Sequence, residues 1–353
     1  MARHNFKLWY GFYRLQETNV QLNFTTMEMW RMKWPANFMR ALAVPGLALI
    51  MASCDYLDES TEQGNAVIEI TDAPVDDENI SGVFVTVAEV KVDGKAFSGF
   101  ENKLTINLMN YQNGSTKILG TGNLEVGSHQ TITLVIDTEM DENGNSPGSF
   151  VLTKDLQKHK LISGTKNTIE IDLQKEFTID ASGSSKIVID FDLRKTIRHT
   201  LSNESSNYEF VSETELENSI RVINHLNSGT IRGTYDGGVF PTTSGKVVAY
   251  VYKKGEWNAE SEIFVHSANE LRFRNAVNSA AVDASGNYRL PFLDAGEYEI
   301  HFVSYEKNGA DDRMNFSSLF EVSSLTQGVS PASVTVDAQS EATLNVIVIG
   351  KII

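Results

Sequence analysis

Hydrophobic and polar positions divide the chain into two regimes. Residues 41–52, Ala-Leu-Ala-Val-Pro-Gly-Leu-Ala-Leu-Ile-Met-Ala, form an uncharged apolar run of 12. A spanning helix needs roughly 20 apolar residues, so this run is too short to cross a bilayer. From residue 66 apolar positions recur at period two, broken by turn residues. The alternation predicts strands over 67–70, 83–87, 90–93, 105–108, 131–136, 168–173, 177–179 and 186–191. Asp93-Gly94, Asn113-Gly114, Asn143-Gly144 and Ser182-Gly183 stand between them, pairs that tolerate the positive φ of tight hairpins. Further strands are expected over 229–235, 245–252, 334–336 and 343–349. Helical segments are few: 155–159, and 213–218 as a turn. Short strands at this spacing predict a sandwich or barrel and not alternating helix and strand, and the fold expected is all-β, two tandem β-sandwich-like domains.

The apolar run suits the central region of a secretory signal, with Lys33 and Arg40 as the positive charge upstream. It ends at Met51-Ala52-Ser53-Cys54, which holds the only cysteine of the chain. This tetrapeptide resembles a bacterial lipobox, with Met51 where Leu is commoner. The resemblance implies a signal peptide over 1–53, cleavage after Ser53, and lipidation of Cys54. Each buried methylene contributes about 0.8 kcal/mol, so two or three acyl chains anchor a protein that one holds only reversibly. The expected partner is therefore a lipid bilayer. The expected place is a bacterial envelope, as an outer-membrane lipoprotein with surface exposure. The competing reading is a plain signal or a buried helix with an incidental thiol.

Residues 1–38 fit no part of such a signal and hold three of the four tryptophans, Trp9, Trp30 and Trp34. An over-extended gene start is expected over about residues 1–31, with translation from Met32 or Met39; the alternative is an unusual leader. Residues 54–64 are polar and acidic and read as a tether. In some Gram-negative lipoproteins, acidic residues just after the cysteine resemble a surface-export signal.

The chain carries 30 Lys+Arg against 46 Asp+Glu, a net charge of −16. Without residues 1–53, which hold six basic and two acidic residues, 24 and 44 remain, a net charge of −20. That balance argues against a nucleic-acid partner, because phosphate contacts need a concentrated basic face. One cysteine excludes an intramolecular disulfide, a CxxC pair and a multi-cysteine zinc site.

Ile70-Thr71-Asp72-Ala73-Pro74, followed by Val83-Phe84-Val85-Thr86-Val87, resembles the opening of the domain of unknown function family 4382, found in bacterial lipoproteins. Leu124-Glu125-Val126-Gly127, Thr131-Ile132-Thr133-Leu134, Ile189-Asp190-Phe191-Asp192 and Ile220-Arg221-Val222 follow in the family's order. The resemblance covers about residues 65–226. It departs at His129, where an aromatic residue is common, and at Thr133, where a basic one is. It implies architecture and location, not an activity. Residues 228–353 resemble a carboxypeptidase regulatory-like (transthyretin-like) sandwich, through Gly286-Asn287-Tyr288 and Gly296-Glu297-Tyr298 ten residues apart. In that family the motif is non-catalytic.

Candidate chemistry is sparse. No two histidines after residue 54 stand at metal-ligand spacing, and HExxH, GxSxG, a P-loop and GxGxxG are absent. No cofactor is expected. Asp72, Asp76, Asp77 and Glu78 form either a cation or ligand patch, or turn caps and a solvated loop. Glu139, Asp141 and Asn143 precede Gly144 like the start of a calcium loop, yet Phe150 stands where the bidentate Glu belongs. An Asn-Gly hairpin is the simpler account. Trp257, with Tyr250 and Tyr252, offers either an exposed carbohydrate platform or packing under a loop. Arg272-Phe273-Arg274 reads as a strand edge. The expected function is a non-catalytic binding or scaffolding module for an extracellular glycan or protein. The alternative is a pilus-like subunit that donates the apolar strand 344–349 between protomers. A hydrolase would need a pocket with convergent polar groups.

Overall fold

Period-two alternation becomes paired strands throughout the computed structural model, which describes residues 61–73, 77, 79–162, 166–202, 205–240, 245–264, 271–307 and 314–353. The signal, Cys54, most of the tether, Asp76 and Glu78 lie outside these residues. Residues 59–353 form one compact unit. Among the described residues no helix is long and apolar enough to cross a membrane.

The first strands are β1 (Gln63–Thr71), β2 (Ile80–Val92), β3 (Lys95–Ala96), β4 (Leu104–Asn107), β5 (Lys117–Glu125) and β6 (Gly127–Asp137). Next come β7 (Phe150–Thr153), β8 (Lys158–Lys160), β9 (Thr168–Ile179) and β10 (Ser184–Asp190). Then α1 (Leu193–Thr196), the hairpin β11 (Ile197–Ser202) and β12 (Ser205–Phe210), α2 (Glu213–Ser219) and β13 (Arg221–Asn224) complete the N-terminal half. One sheet runs β13-β10-β1-β5; the other runs β8-β7-β2-β6-β9, with β3 and β4 also on β2. Alternate residues of both sheets fill a single core, among them Ile68, Ile70, Ile187 and Ile189 of the first and Val85, Val87, Ile132, Leu134 and Ile136 of the second. The burial of these aliphatic side chains is the main force holding the two sheets face to face.

The C-terminal half comprises β14 (Ser228–Asp236), β15 (Gly245–Lys253), α3 (Ala259–Ile263), β16 (Asn278–Ala281), β17 (Asn287–Asp294) and β18 (Gly296–Lys307). It ends with β19 (Met314–Ser324), β20 (Val334–Val336), β21 (Glu341–Thr343) and β22 (Val346–Lys351). These strands make one sheet in the order β16-β15-β18-β19-β22-β14-β17, with β20 on β18 and β21 on β14. Its inner face closes on Ile231, Leu290, Ile300, Phe302, Val346 and their neighbours. The outer face of β15, β18 and β19 carries a second cluster, covered by Trp257, Ile263, Phe273 and Ala276. Tyr288 and Tyr298 of the two Gly-x-Tyr units are buried, and each hydroxyl donates to a backbone carbonyl, Leu344 at 2.6 Å and Asp294 at 2.7 Å.

Several expected boundaries move. The segments 83–87 and 90–93 are one strand, because the break at Ala88 is a bulge against β6 and not a turn. Likewise 168–173 and 177–179 join in β9 across a register shift. Residues 155–159 form no helix: the Asp155 carboxylate takes the Thr153 hydroxyl at 2.5 Å, and the chain turns into the β7–β8 hairpin. Residues 213–219 are a true helix, fixed by a reciprocal capping box between Ser212 and Glu215. The terminal strand is not free. β22 lies between β19 and β14 and pairs with both, so donating it would first require stripping it from its own sheet.

Candidate functional site

Two sequence landmarks far apart in the chain meet at one end of a parallel strand pair. β1 and β10 align Ile70 with Ile189 and Thr71 with Asp190, so Asp72 and Asp192 leave the sheet together. The Phe191 N–H donates to the Thr71 carbonyl at 3.0 Å. Asp72 is buried, and its carboxylate accepts the Leu193 N–H and the Gln112 amide, both at 3.0 Å. Burial, reinforced by the neighbouring Asp192 and Asp190 charges, outweighs those two bonds and holds the Asp72 carboxyl well above the usual range.

Asp192 caps α1 by accepting the Arg194 N–H at 3.2 Å. It also receives Arg194 Nε at 3.1 Å and Nη2 at 2.7 Å, with Lys195 Nζ at 3.4 Å. Burial pushes this carboxyl up, but the Arg194 and Lys195 charges more than offset it and leave it below the usual range. Burial also lowers the Lys195 ammonium. Arg221 pairs with Asp190. Each of the three cations then reaches the C-terminal half. Arg194 lies 5.1 Å from the centre of the Tyr250 ring, Lys195 donates to the Ala276 carbonyl at 2.7 Å, and Arg221 donates to the Phe292 carbonyl at 3.1 Å. The cluster is a buried polar seam across the molecule.

A cavity of about 120 Å³ adjoins the seam, lined in part by Asp77, Leu193, Arg194, His199 and Tyr208. Asp77 Oδ2 accepts the Tyr208 hydroxyl at 3.0 Å and stands 3.2 Å from His199 Nδ1. Burial raises the Asp77 carboxyl, yet these contacts and the Asn79 N–H hold it below the usual range. His199 stacks on Tyr208 with ring centres 4.2 Å apart. The arrangement orients an imidazole beside space for a few waters. His199 and Tyr208 carried no recognisable spacing, because they meet Asp77 only through the β11–β12 hairpin.

Asp72 and Asp77 therefore serve different networks and do not form one patch. Asp72 also departs from the solvated-loop reading, since its partners are 40 and 121 residues away. Asp141 turns its carboxylate inward to the N–H groups of Asn143 at 2.9 Å and Asn145 at 2.7 Å. Glu139 pairs with Lys160. Among the described residues no three His, Cys, Asp or Glu side chains converge as a metal site, and the Asp141 and Glu139 carboxylates are occupied by the loop's own N–H groups and by Lys160.

The exposed aromatic platform is also corrected. Tyr250 and Tyr252 are fully buried, and Trp257 is half-buried, stacked on His301 at 4.0 Å and edge-on to Tyr252 at 5.0 Å. The segment after β15 folds back over the face that alternation gives to these tyrosines. Phe273 is buried in a turn, so Arg272-Phe273-Arg274 is not a strand edge. His129 takes the place of the expected aromatic by stacking on Phe177 at 5.3 Å, while Asp93 holds its Nδ1 at 2.8 Å.

Residues 63–212 match the family described as Domain of unknown function (DUF4382). No curated protein matches the chain. Among solved structures, a minor pilin of Streptococcus agalactiae is 13% identical with a TM-score of 0.19, over 80% of this chain and 95% of that one. A putative cell adhesion protein of Parabacteroides distasonis is 10% identical with a TM-score of 0.18, over 81% and 98%. A leucine-rich repeat protein of Bacteroides thetaiotaomicron is 11% identical with a TM-score of 0.18, over 80% of this chain and 26% of that one. The chain thus spans about a quarter of that last protein's length.

Proposed function

We propose that the protein is a lipid-anchored module of a bacterial envelope that acts by binding or scaffolding, not by catalysis. The observation that carries this reading is how the chemically able side chains are used. Asp72, Asp190, Asp192, Arg194, Lys195 and Arg221 bond to one another and to backbone across the seam. In the seam these side chains serve a fixed shape and are not held ready for a substrate. Its anchor is the lipidated Cys54, which the apolar run 41–52 and the tetrapeptide 51–54 support. The acidic residues 55–64 act as a spacer from the bilayer. An outer-membrane position facing outward completes the proposal.

Labelling of expressing cells with radioactive palmitate tests it, followed by fractionation with high-salt and carbonate washes. The wild type is expected to take up label and stay particulate. Cys54→Ser is expected to lose the label and to leave the membrane once processed. Equal labelling of both forms would refute the anchor.

A further inference from the structure

A polar crevice opens where the Asn113-Gly114 turn of the N-terminal half meets β17. Gly114 has a φ of +96°, and a Cβ there would stand 3.3 Å from Arg289 Nε and 3.5 Å from Pro291 Cβ. A cavity of about 590 Å³ beside this contact is lined by Thr116, Ser228, Thr230 and Gln339 among others. A second, of about 410 Å³, adjoins it through Arg289 and is lined by Thr234, Asn287, Thr343 and Asn345 among others. Both fall within the roughly 300–1,000 Å³ of ordinary ligand sites.

The crevice has an apolar wall of unusual construction. Pairing passes from Gly229 with Leu293 to Ile231 with Leu290, so Pro291 and Phe292 together oppose Thr230 in a bulge. Phe292 takes a φ of +56°, rare for an aromatic residue, and Arg221 holds its carbonyl at 3.1 Å. Pro291, Phe292 and His225 line this side. Residues held in such sparsely populated conformations gather at ligand sites.

The charges of the lining cancel. Its three cations, Lys186, Arg232 and Arg289, face three carboxylates, Glu69, Asp283 and Glu341. Glu341 receives Arg232 Nε at 2.6 Å and also Arg289, and Lys186 stands 3.8 Å from Glu69. Asp283 takes the N–H groups of Ser285 and Asn287, both at 2.8 Å. A lining of zero net charge draws neither anions nor cations from a distance. Each guanidinium has five N–H donors, and the contacts to Glu341 use only part of them. What remains is an array of donors, hydroxyls and amides beside an apolar wall.

We propose that this crevice binds a neutral oligosaccharide, whose rings present an apolar face and a rim of hydroxyls. The proposal rests on the binding reading above and names its ligand class. Isothermal calorimetry on the detergent-solubilised full-length protein tests it. The probes are neutral hexasaccharides of glucose, xylose, mannose and galactose, with hexagalacturonate as the anionic contrast. At least one neutral probe is expected to bind with a Kd below about 1 mM. Thr116→Trp, which fills the crevice, and Arg289→Ala, which removes an exposed donor, are each expected to weaken it at least about tenfold. Should Thr116→Trp lower the Tm, Arg289→Ala decides. Silence from every neutral probe, tighter binding of hexagalacturonate, or affinity unchanged in Arg289→Ala overturns the proposal. A silent titration with palmitate labelling intact discards the glycan and leaves the anchored module standing; lost labelling with retained glycan binding does the reverse.

Discussion

Replacing Asp192 by Asn tests whether the buried seam holds the molecule together. The side chains of Asp192 and Arg194 are 4% and 1% exposed, so water screens their pairing little. The 2.7 Å bond from Arg194 Nη2 to Oδ2 is lost, because Asn puts an NH2 there, and the 3.1 Å bond from Nε to Oδ1 loses its charge assistance. Removing one partner of a buried pair costs about 3–5 kcal/mol. Asn keeps an oxygen for the Arg194 N–H, whereas Ala also removes the cap and adds about 1 kcal/mol. Asp192→Leu with Arg194→Met and Lys195→Met is expected to recover much of the loss, since apolar replacement of every partner is often nearly neutral. Urea unfolding of residues 54–353, followed by Trp257 fluorescence, reads these differences; Trp257 is the only tryptophan of that stretch. The folded Asp192 carboxyl lies below its unfolded value of 3.8, so its contribution is present above that pH and is lost as pH falls through the folded pKa. The gap between wild type and Asp192→Asn must therefore close in acid. A loss under about 1 kcal/mol at neutral pH would refute the reasoning.

Three other substitutions probe separate parts of the fold. Asp72 has the opposite sign: its folded carboxyl holds a proton above 3.8, so its contribution falls as pH rises through the window above that value. Asp72→Asn is expected to gain on wild type in urea midpoint as pH rises from about 4 to about 7, and a widening deficit instead would contradict the shift. Gly233→Ala places a Cβ 1.7 Å from the Leu344 carbonyl, and is expected to cost about 3 kcal/mol or more by thermal unfolding. Tyr288→Phe leaves the Leu344 carbonyl without its 2.6 Å donor, for a loss of about 1–2 kcal/mol in the same assay.

Strands were legible where an unbroken alternation met a core, because burial imposes period two on the residues themselves. β5, β7 and β19 also reach a core, through Leu119, Val151 and Phe320, and were not expected. Val83, Val85 and Val87 illustrate the legible alternation in β2, and Ile169, Ile171 and Leu173 in β9. Bulges were not, since a slipped alternation at Ala88 looks like the end of a strand. The capping box at Ser212 and Glu215 was written in the sequence, but a helix of 7 residues is too short to show periodicity. Tyr250 and Tyr252 show the limit on the site side. Alternation assigns them a face, and only the tertiary fold decides whether another segment covers it. Asp72 shows the same limit for polar groups, because its acceptor role depends on Gln112 and Leu193, which no local pattern ties to it.

The seam and the crevice are joined through one residue, and that links the family-matched region to the proposed ligand site. Arg221 binds Asp190 on one side and the Phe292 carbonyl on the other. Phe292 packs with Val188 and Ile223, which lie in the same two strands as Asp190 and Arg221. The bulge that forms the crevice wall is thus held by a β10 carboxylate acting through Arg221. A carboxylate of the landmark 189–192 therefore acts at a distance, by fixing the backbone that shapes the wall. A backbone wall fixed in this way needs no ordering of its own when a ligand binds, which lowers the cost of binding there although the carboxylate never touches the ligand.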